Sequence, residues 1–318
     1  MFKALENIDS IRLNFSEGGL LFMNITLALI MFGVALDINF QKFKDVFIEP
    51  RAAILGILSQ TVVLPAFSFL LVLVLNPPPS VAMGMILIAS CPGGNISNLI
   101  SSLAKANVAL SVSLTAFSTL GSTLITPANF ALWGSMYVRY YEKAKHLNLP
   151  IEIDLIQMFQ TVFLLLGLPL IVGMWFNKRF PKITKKIFNP IKIASVVVYL
   201  LFIVVAFYAN AQFLPPYIIP VGILIFLLNA EALFTGYLVS TIGRLKKADR
   251  RTIAIETGIQ NSGLALVLIF NPKLFNGNGG MAFMAAWWGI WQMVSGLGLA
   301  WILAKIKIKD EPTLNTEA

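Results

Sequence analysis

One carboxylate lies beside an interruption in the apolar interior of this chain. Glu256 lies about five residues into an apolar stretch covering about 252–270. A carboxylate at bilayer depth costs a few kcal/mol and needs a partner. No lysine or arginine lies at matching depth in the stretches at about 52–75, 81–103, 108–134 or 252–270. A proton or a bound cation must therefore balance the charge; a protonated, purely structural glutamic acid is the competing reading. The nearby residues are oxygen donors. Gln260 lies four residues on, followed by Asn261 and Ser262. Ser111 and Thr115 are one helical turn apart and share a face. Ser97 and Asn98 follow Gly93-Gly94, and Gln60 sits inside its own apolar stretch. Carboxylate, amide, hydroxyl and freed carbonyl oxygens suit a hard cation. Taken singly, each serine or threonine reads as a helix-packing residue bonded to its own turn. Their clustering around two interrupted stretches is what points to a site.

Other chemistries are poorly served. Cys91 is the only cysteine and His146 the only histidine, so an intramolecular disulfide and a thiolate or imidazole metal cluster are excluded. Glu256 has no acid, base or nucleophile partner of the kind an intramembrane enzyme requires. The net charge of +9 does not indicate nucleic acid, because the basic residues sit in short loops between apolar stretches, as topology and anionic-lipid signals do.

These residues must be held by membrane helices. The chain is 57% hydrophobic and 12% charged, with mean hydropathy +0.79, against about 25% charged for soluble domains. Spans of roughly 17–25 apolar residues cross a bilayer. Nine are expected, at about 18–36, 52–75, 81–103, 108–134, 155–176, 191–213, 217–242, 252–270 and 281–304. Asn76-Pro77-Pro78-Pro79, Pro215-Pro216 and Asn271-Pro272 separate neighbours. Alternate loops hold 18 of the 24 Lys and Arg residues, including Lys178, Arg179, Arg244 and Lys305. By the positive-inside rule the N-terminal segment 1–17 is outside, and the tail 305–318 is cytoplasmic with its end, 310–318, disordered.

Two spans are broken at their centres, by Cys91-Pro92-Gly93-Gly94-Asn95-Ile96-Ser97-Asn98 and by Glu256-Thr257-Gly258-Ile259-Gln260-Asn261-Ser262-Gly263. Irregular backbone survives at membrane depth only when buried in protein or lining a wet cavity, and paired interruptions point to a transporter's binding site. Unpaired N–H groups around Asn95-Ile96-Ser97 and Asn261-Ser262-Gly263 would attract an anion. A cation site beside an organic-anion site is the arrangement of a cation-coupled symporter. The odd span count fits a five-helix unit repeated in inverted orientation, with the first copy lacking its first helix. Gly33, Gly258 and Gly263 could admit close helix approach. Glu231, in the seventh span near Asn229, either tunes substrate or ion binding or is a protonated group bonded to a neighbouring helix.

The motifs Met31-Phe32-Gly33 with Leu36, Cys91-Pro92-Gly93-Gly94 with Ser97-Asn98, Asn107-Val108-Ala109-Leu110-Ser111 and the run from Glu256 to Gly263 resemble the bile acid:sodium symporter family over nearly the whole chain. The resemblance implies an all-α polytopic membrane protein whose two broken helices cross. It implies a core (about 52–134 and 217–304) and a panel (about 18–36 and 155–213) within a transmembrane domain at 18–304. The nine-helix arrangement is similar to that of animal members, and the implied location is the cell's inner membrane. Two sodium ions are implied. One would be held by Ser97, Asn98, Ser111, Thr115 and Glu256. The other would be held by Gln60, Glu256, Gln260 and carbonyls near Thr257 and Ile259, with Glu256 bridging both. An organic anion would bind between panel and core near the crossing, with Asn95, Ser97, Asn261 and Ser262 as contact candidates. Family substrates include bile acids, steroid sulfates, 2-oxo acids and pantoate, and a small carboxylate is the expectation here. The rival is a proton-coupled or uncoupled anion carrier on the same fold. Oligomeric state stays open, with a monomer sufficient.

Overall fold

The computed structural model describes residues 5, 7–11, 17–37, 50–94, 96–145, 154–209 and 215–306. Asn95, the end of the expected sixth span and the tail expected to be disordered lie outside these residues. The described residues are helical apart from turns, with no named strand. In chain order the helices are α1 (Glu17–Asp37), α2 (Pro50–Leu75), α3 (Pro79–Ser90), α4 (Ile96–Leu103), α5 (Val108–Lys145), α6 (Leu155–Arg179), α7 (Pro181–Ala209), α8 (Ile218–Ile242), α9 (Lys247–Gly258), α10 (Ser262–Phe270) and α11 (Gly279–Lys305). By length and composition, α2, α5, α6 and α8 are each long and apolar enough to cross a membrane.

Local chemistry sets the helix ends. Asn76 adopts a left-handed φ of 47° and its N–H closes α2 on Val72 O, and Pro79 then opens α3. Asn107, Asp154, Asn261 and Asn278 each accept a backbone N–H three residues on, capping α5, α6, α10 and α11. The N-terminal segment is more embedded than its polar sequence suggests. Leu5 and Ile8 are buried, and Asp9 accepts the Ser80 N–H at 2.9 Å, placing an anion at the start of α3.

Two helices outrun their expected spans. The fourth was expected to end near 134, but α5 continues to Lys145. The sixth was expected to begin near 191, but α7 begins at Pro181. Hydropathy reports where the bilayer stops, whereas nothing in the charged turns at 135–145 and 181–190 prevents a helix from continuing into water.

The broken helices occupy the centre. Every residue of α10 and nearly every residue of α3 is buried. Around them stand α2, α5, α8 and α11, whose outward faces carry exposed large apolar side chains such as Val74, Leu124, Ile219 and Trp301. An apolar exterior of this extent requires hydrocarbon as solvent. α1 packs on α6 and α7, while α6 also meets α5, and α10 meets α1 and α6. Small residues permit the tightest approaches. A Cβ on Gly236 of α8 would lie 2.5 Å from Ile253 O of α9. Gly258 lies against Leu233, and Gly33 against Ile191.

Candidate functional site

The two breaks meet. Gly94 N donates to Ile259 O at 2.9 Å, and Asn261 N donates to Pro92 O at 2.8 Å, making an antiparallel bridge between Gly93 and Gln260. Each break satisfies backbone groups of the other, which answers the cost of irregular chain inside an apolar body. A Cβ on Gly94 would lie 2.9 Å from Gln260 O, so a side chain there would push the strands apart. Two of the N–H groups expected to be free at the second break are thus engaged. Asn261 N is taken by Pro92 O, Ser262 N donates to Gln260 O at 3.0 Å, and the Asn261 side chain caps α10.

The crossing brings Glu256, at the end of α9, against α4 and α5. Its carboxylate is fully buried. Ser97 Oγ donates to Oε1 at 2.6 Å, Ser111 Oγ also reaches Oε1, and Thr115 Oγ1 lies 3.0 Å from Oε2 and 3.2 Å from Oε1. Gln60 Nε2 approaches Oε2 at 3.4 Å. Asn98 Oδ1 lies 2.9 Å from Ser111 Oγ and 3.3 Å from Thr115 Oγ1. Ser97 Oγ and Thr115 Oγ1 are 3.3 Å apart. Each hydroxyl has one proton. The Ser111 proton cannot serve both Asn98 and Glu256, and the Thr115 proton cannot serve Asn98, Ser111 O and both carboxylate oxygens. More short oxygen–oxygen contacts converge than there are hydroxyl protons to bridge them, and a small hard cation suits such a cluster.

Gln60 is presented by an irregular turn in α2. Residues Ser59–Val63 form a π-helical stretch ahead of Pro65, and Pro65 leaves the carbonyl four residues back without its helical donor. That carbonyl, Thr61 O, accepts Asn129 Nδ2 at 2.9 Å. Gln60 Oε1 and Gln260 Oε1 are both buried without a partner. Gln260 Nε2 turns back to Thr257 O at 2.8 Å. Thr257 O and Ile259 O each accept one hydrogen bond and keep a lone pair.

Three supporting contacts escaped the sequence reading. Gln292 of α11 accepts Gln260 N at 2.9 Å and reaches Ser262 Oγ at 3.4 Å. Asn229 of α8 donates to Gly258 O at 2.8 Å. Ser59 and Thr257 share a hydrogen bond at 2.9 Å. The available signal for the first two was a lone amide inside an otherwise apolar span. Glu231 is half-buried and sits apart from the crossing, accepting Ser68 Oγ at 2.9 Å and Thr235 Oγ1 at 2.8 Å. A separate cavity of about 380 Å³ lies between α1, α6 and α10, lined by Asn24, Gln157, Thr161, Asn271 and Lys273 among apolar side chains.

Among the described residues no cluster of His, Cys, Asp and Glu could hold a metal ion, so any cation here rests on one carboxylate and neutral oxygens. The profile of the sodium bile acid symporter family matches residues 24–215. The chain is 30% identical over 297 residues to a sodium-dependent transporter of Bacillus subtilis, YocS, covering 91% of this chain and 85% of that protein. It is also 30% identical over 250 residues to the probable sodium/metabolite cotransporter BASS1 of Arabidopsis thaliana, covering 77% of this chain and 58% of that one. It is 29% identical over 259 residues to the human ileal sodium/bile acid cotransporter, covering 80% of this chain and 71% of that one. These relatives are membrane transporters rather than enzymes, and with a matched family profile over residues 24–215 the chain belongs to the sodium bile acid symporter family.

Proposed function

We propose that the protein couples the inward movement of sodium to that of a small organic anion by alternating access. The excess of short oxygen–oxygen contacts over hydroxyl protons around Glu256 carries this reading. One sodium ion is held by Ser97, Asn98, Ser111, Thr115 and Glu256. A second is held by Gln60, Glu256, Gln260 and the carbonyls of Thr257 and Ile259, with the unpartnered Gln60 Oε1 and Gln260 Oε1 as its support. Sodium is cargo here, and its charge is what makes the crossing hospitable to an anion. Asn95, Ser97, Asn261 and Ser262 remain the contact candidates at the crossing. The 380 Å³ cavity with Lys273 at its rim supports a carboxylate of modest size, since ligand pockets run about 300–1,000 Å³.

Nine spans then make a panel of α1, α6 and α7 and a core of the remaining helices, with the N-terminus outside. The inverted repeat gains support from matched joints. α3 and α9 have twelve residues each, and α4 and α10 have eight and nine. Left-handed residues fall at equivalent turns, Asn76 with Arg244 and Lys105 with Asn276. Transport proceeds by the core moving against the panel, whose helices meet it along few elements.

The test is uptake by proteoliposomes of a set of labelled small carboxylates and bile acids, with and without an inward sodium gradient. Sodium-stimulated uptake of a carboxylate is the expected result. Uptake driven equally by a proton gradient without sodium favours the proton-coupled carrier instead.

A further inference from the structure

A second group of oxygens continues outward from the Glu256 cluster. On α5, Ser111, Thr115, Ser118, Ser122, Thr126 and Asn129 recur at intervals of three and four residues, so they line one face. The first two touch Glu256. The rest, with Gln60 and Cys91, border a small cavity of about 10 Å³, the room one water or one bare sodium ion needs. Two polar atoms there are buried and without a hydrogen-bond partner, Gln60 Oε1 and Thr126 Oγ1, on side chains 3% and 1% exposed. The protons of Ser118 and Ser122 are spent on Thr115 O at 3.1 Å and Thr119 O at 2.6 Å, so their oxygens can only accept. A buried chamber with two unpartnered oxygens and two hydroxyls left only to accept suits a cation.

Gly93 joins this chamber to the carboxylate. A Cβ there would lie 3.2 Å from both Gln60 Nε2 and Glu256 Oε2 and 3.4 Å from Ser118 Oγ. The absent side chain lets Gln60 and Ser118 of one group and Glu256 of the other converge on one point. Further along the same two helices Phe69 and Trp133 meet, with ring centroids 5.3 Å apart, covering the far side.

We propose that Gln60, Ser118, Ser122 and Thr126 form a relay site through which a monovalent cation reaches Glu256 from the outer side. This rests on the sodium-coupled reading and its orientation. All four ligands are neutral, so the ion is held weakly, as a transit site requires. Glu256 then draws it inward past Gly93.

Cys91 provides a built-in reporter, being the only cysteine in the chain and part of the chamber lining. Silver ion is monovalent, close to sodium in size, and bonds thiol sulfur with release of the thiol proton to water. Right-side-out vesicles holding the full chain are exposed to external Ag+ in nitrate buffer. The protein is then purified, denatured and titrated with a maleimide for remaining free thiol. Ag+ should block Cys91 in the wild type, and external sodium should slow the block. Thr126→Val should slow it about tenfold, as expected for one lost oxygen ligand, and Thr126→Ser should restore the wild-type rate. Failure of Ag+ to reach Cys91, a wild-type rate in Thr126→Val, or an equal slowing in Thr126→Ser overturns the relay. Thermal stabilisation of each purified protein by sodium is measured alongside. Stabilisation in all three with unchanged silver kinetics sinks the relay alone; no stabilisation of the wild type sinks the sodium reading and the relay with it.

Discussion

Glu256 and Glu231 are both carboxylates within apolar helices, yet their surroundings differ in kind. Glu231 on α8 has one hydroxyl for each oxygen, Ser68 at 2.9 Å and Thr235 at 2.8 Å. Its network closes, because each proton has one acceptor. Glu256 meets Ser97, Ser111, Thr115 and Gln60, and Asn98 Oδ1 competes for two of the same protons. Its network does not close. On the proposed reading, a buried carboxylate serves as an ion site when the short oxygen–oxygen contacts around it outnumber the hydroxyl protons that could bridge them, and stays a structural group when the two balance. Burial sharpens the contrast: Glu256 is fully buried and Glu231 is half-buried, so an unbalanced charge is costlier at the crossing.

The comparison breaks most directly at Glu256. Glu256→Gln keeps the shape and removes the charge. Loss of a buried ion's charge partner costs about 3–5 kcal/mol, so sodium affinity should fall by roughly 100-fold or more. Sodium titration of thermal stability on the purified variant checks this. A variant that unfolds no earlier than wild type without sodium, yet gains nothing from added sodium, is the expected outcome.

A smaller effect belongs to a single neutral ligand. Ser111→Ala removes one oxygen shared between Asn98 and Glu256. The loss should be about 1.5–3 kcal/mol, the value of a hydrogen-bond-scale contact to a charged group, seen as a raised half-saturating sodium concentration in uptake. An unchanged sodium dependence would contradict the assignment of Ser111 as a ligand.

The smallest effect belongs to Glu231. Glu231→Gln keeps an acceptor for one hydroxyl and exchanges the other for an amide. Sodium affinity should stay within about twofold of wild type, while stability changes by about 1 kcal/mol. A sodium defect matching that of Glu256→Gln would erase the distinction and make Glu231 part of the ion path.

Sequence was informative wherever a residue type was costly in its setting. Glu256 inside an apolar span and the glycines and proline of the two breaks stand out against hydrocarbon, because each violates the local rule for a membrane helix, whereas Ser111 and Thr115 drew notice only by clustering with them. The supporting amides were less visible. Gln292 and Asn229 look like ordinary solitary polar residues until the fold brings them to Gln260 N and Gly258 O. Helix ends at Lys145 and Pro181 were misjudged because hydropathy marks the bilayer and not the hydrogen-bond ladder.

By itself the chain determined that it must live in a bilayer, that two spans must break, and that one carboxylate must find positive charge from elsewhere. These follow from composition and from the cost of burying polar groups, which act residue by residue. Only the tertiary structure decided that the breaks hydrogen-bond each other, through Gly94 to Ile259 and Asn261 to Pro92. It also decided that Asn261 spends its side chain on a cap, that Gln60 Oε1 is left unpaired, and that Gln60, Ser118 and Glu256 converge on Gly93. Such facts depend on which segments distant in the chain come within 3 Å of one another, and packing of the whole bundle sets those distances.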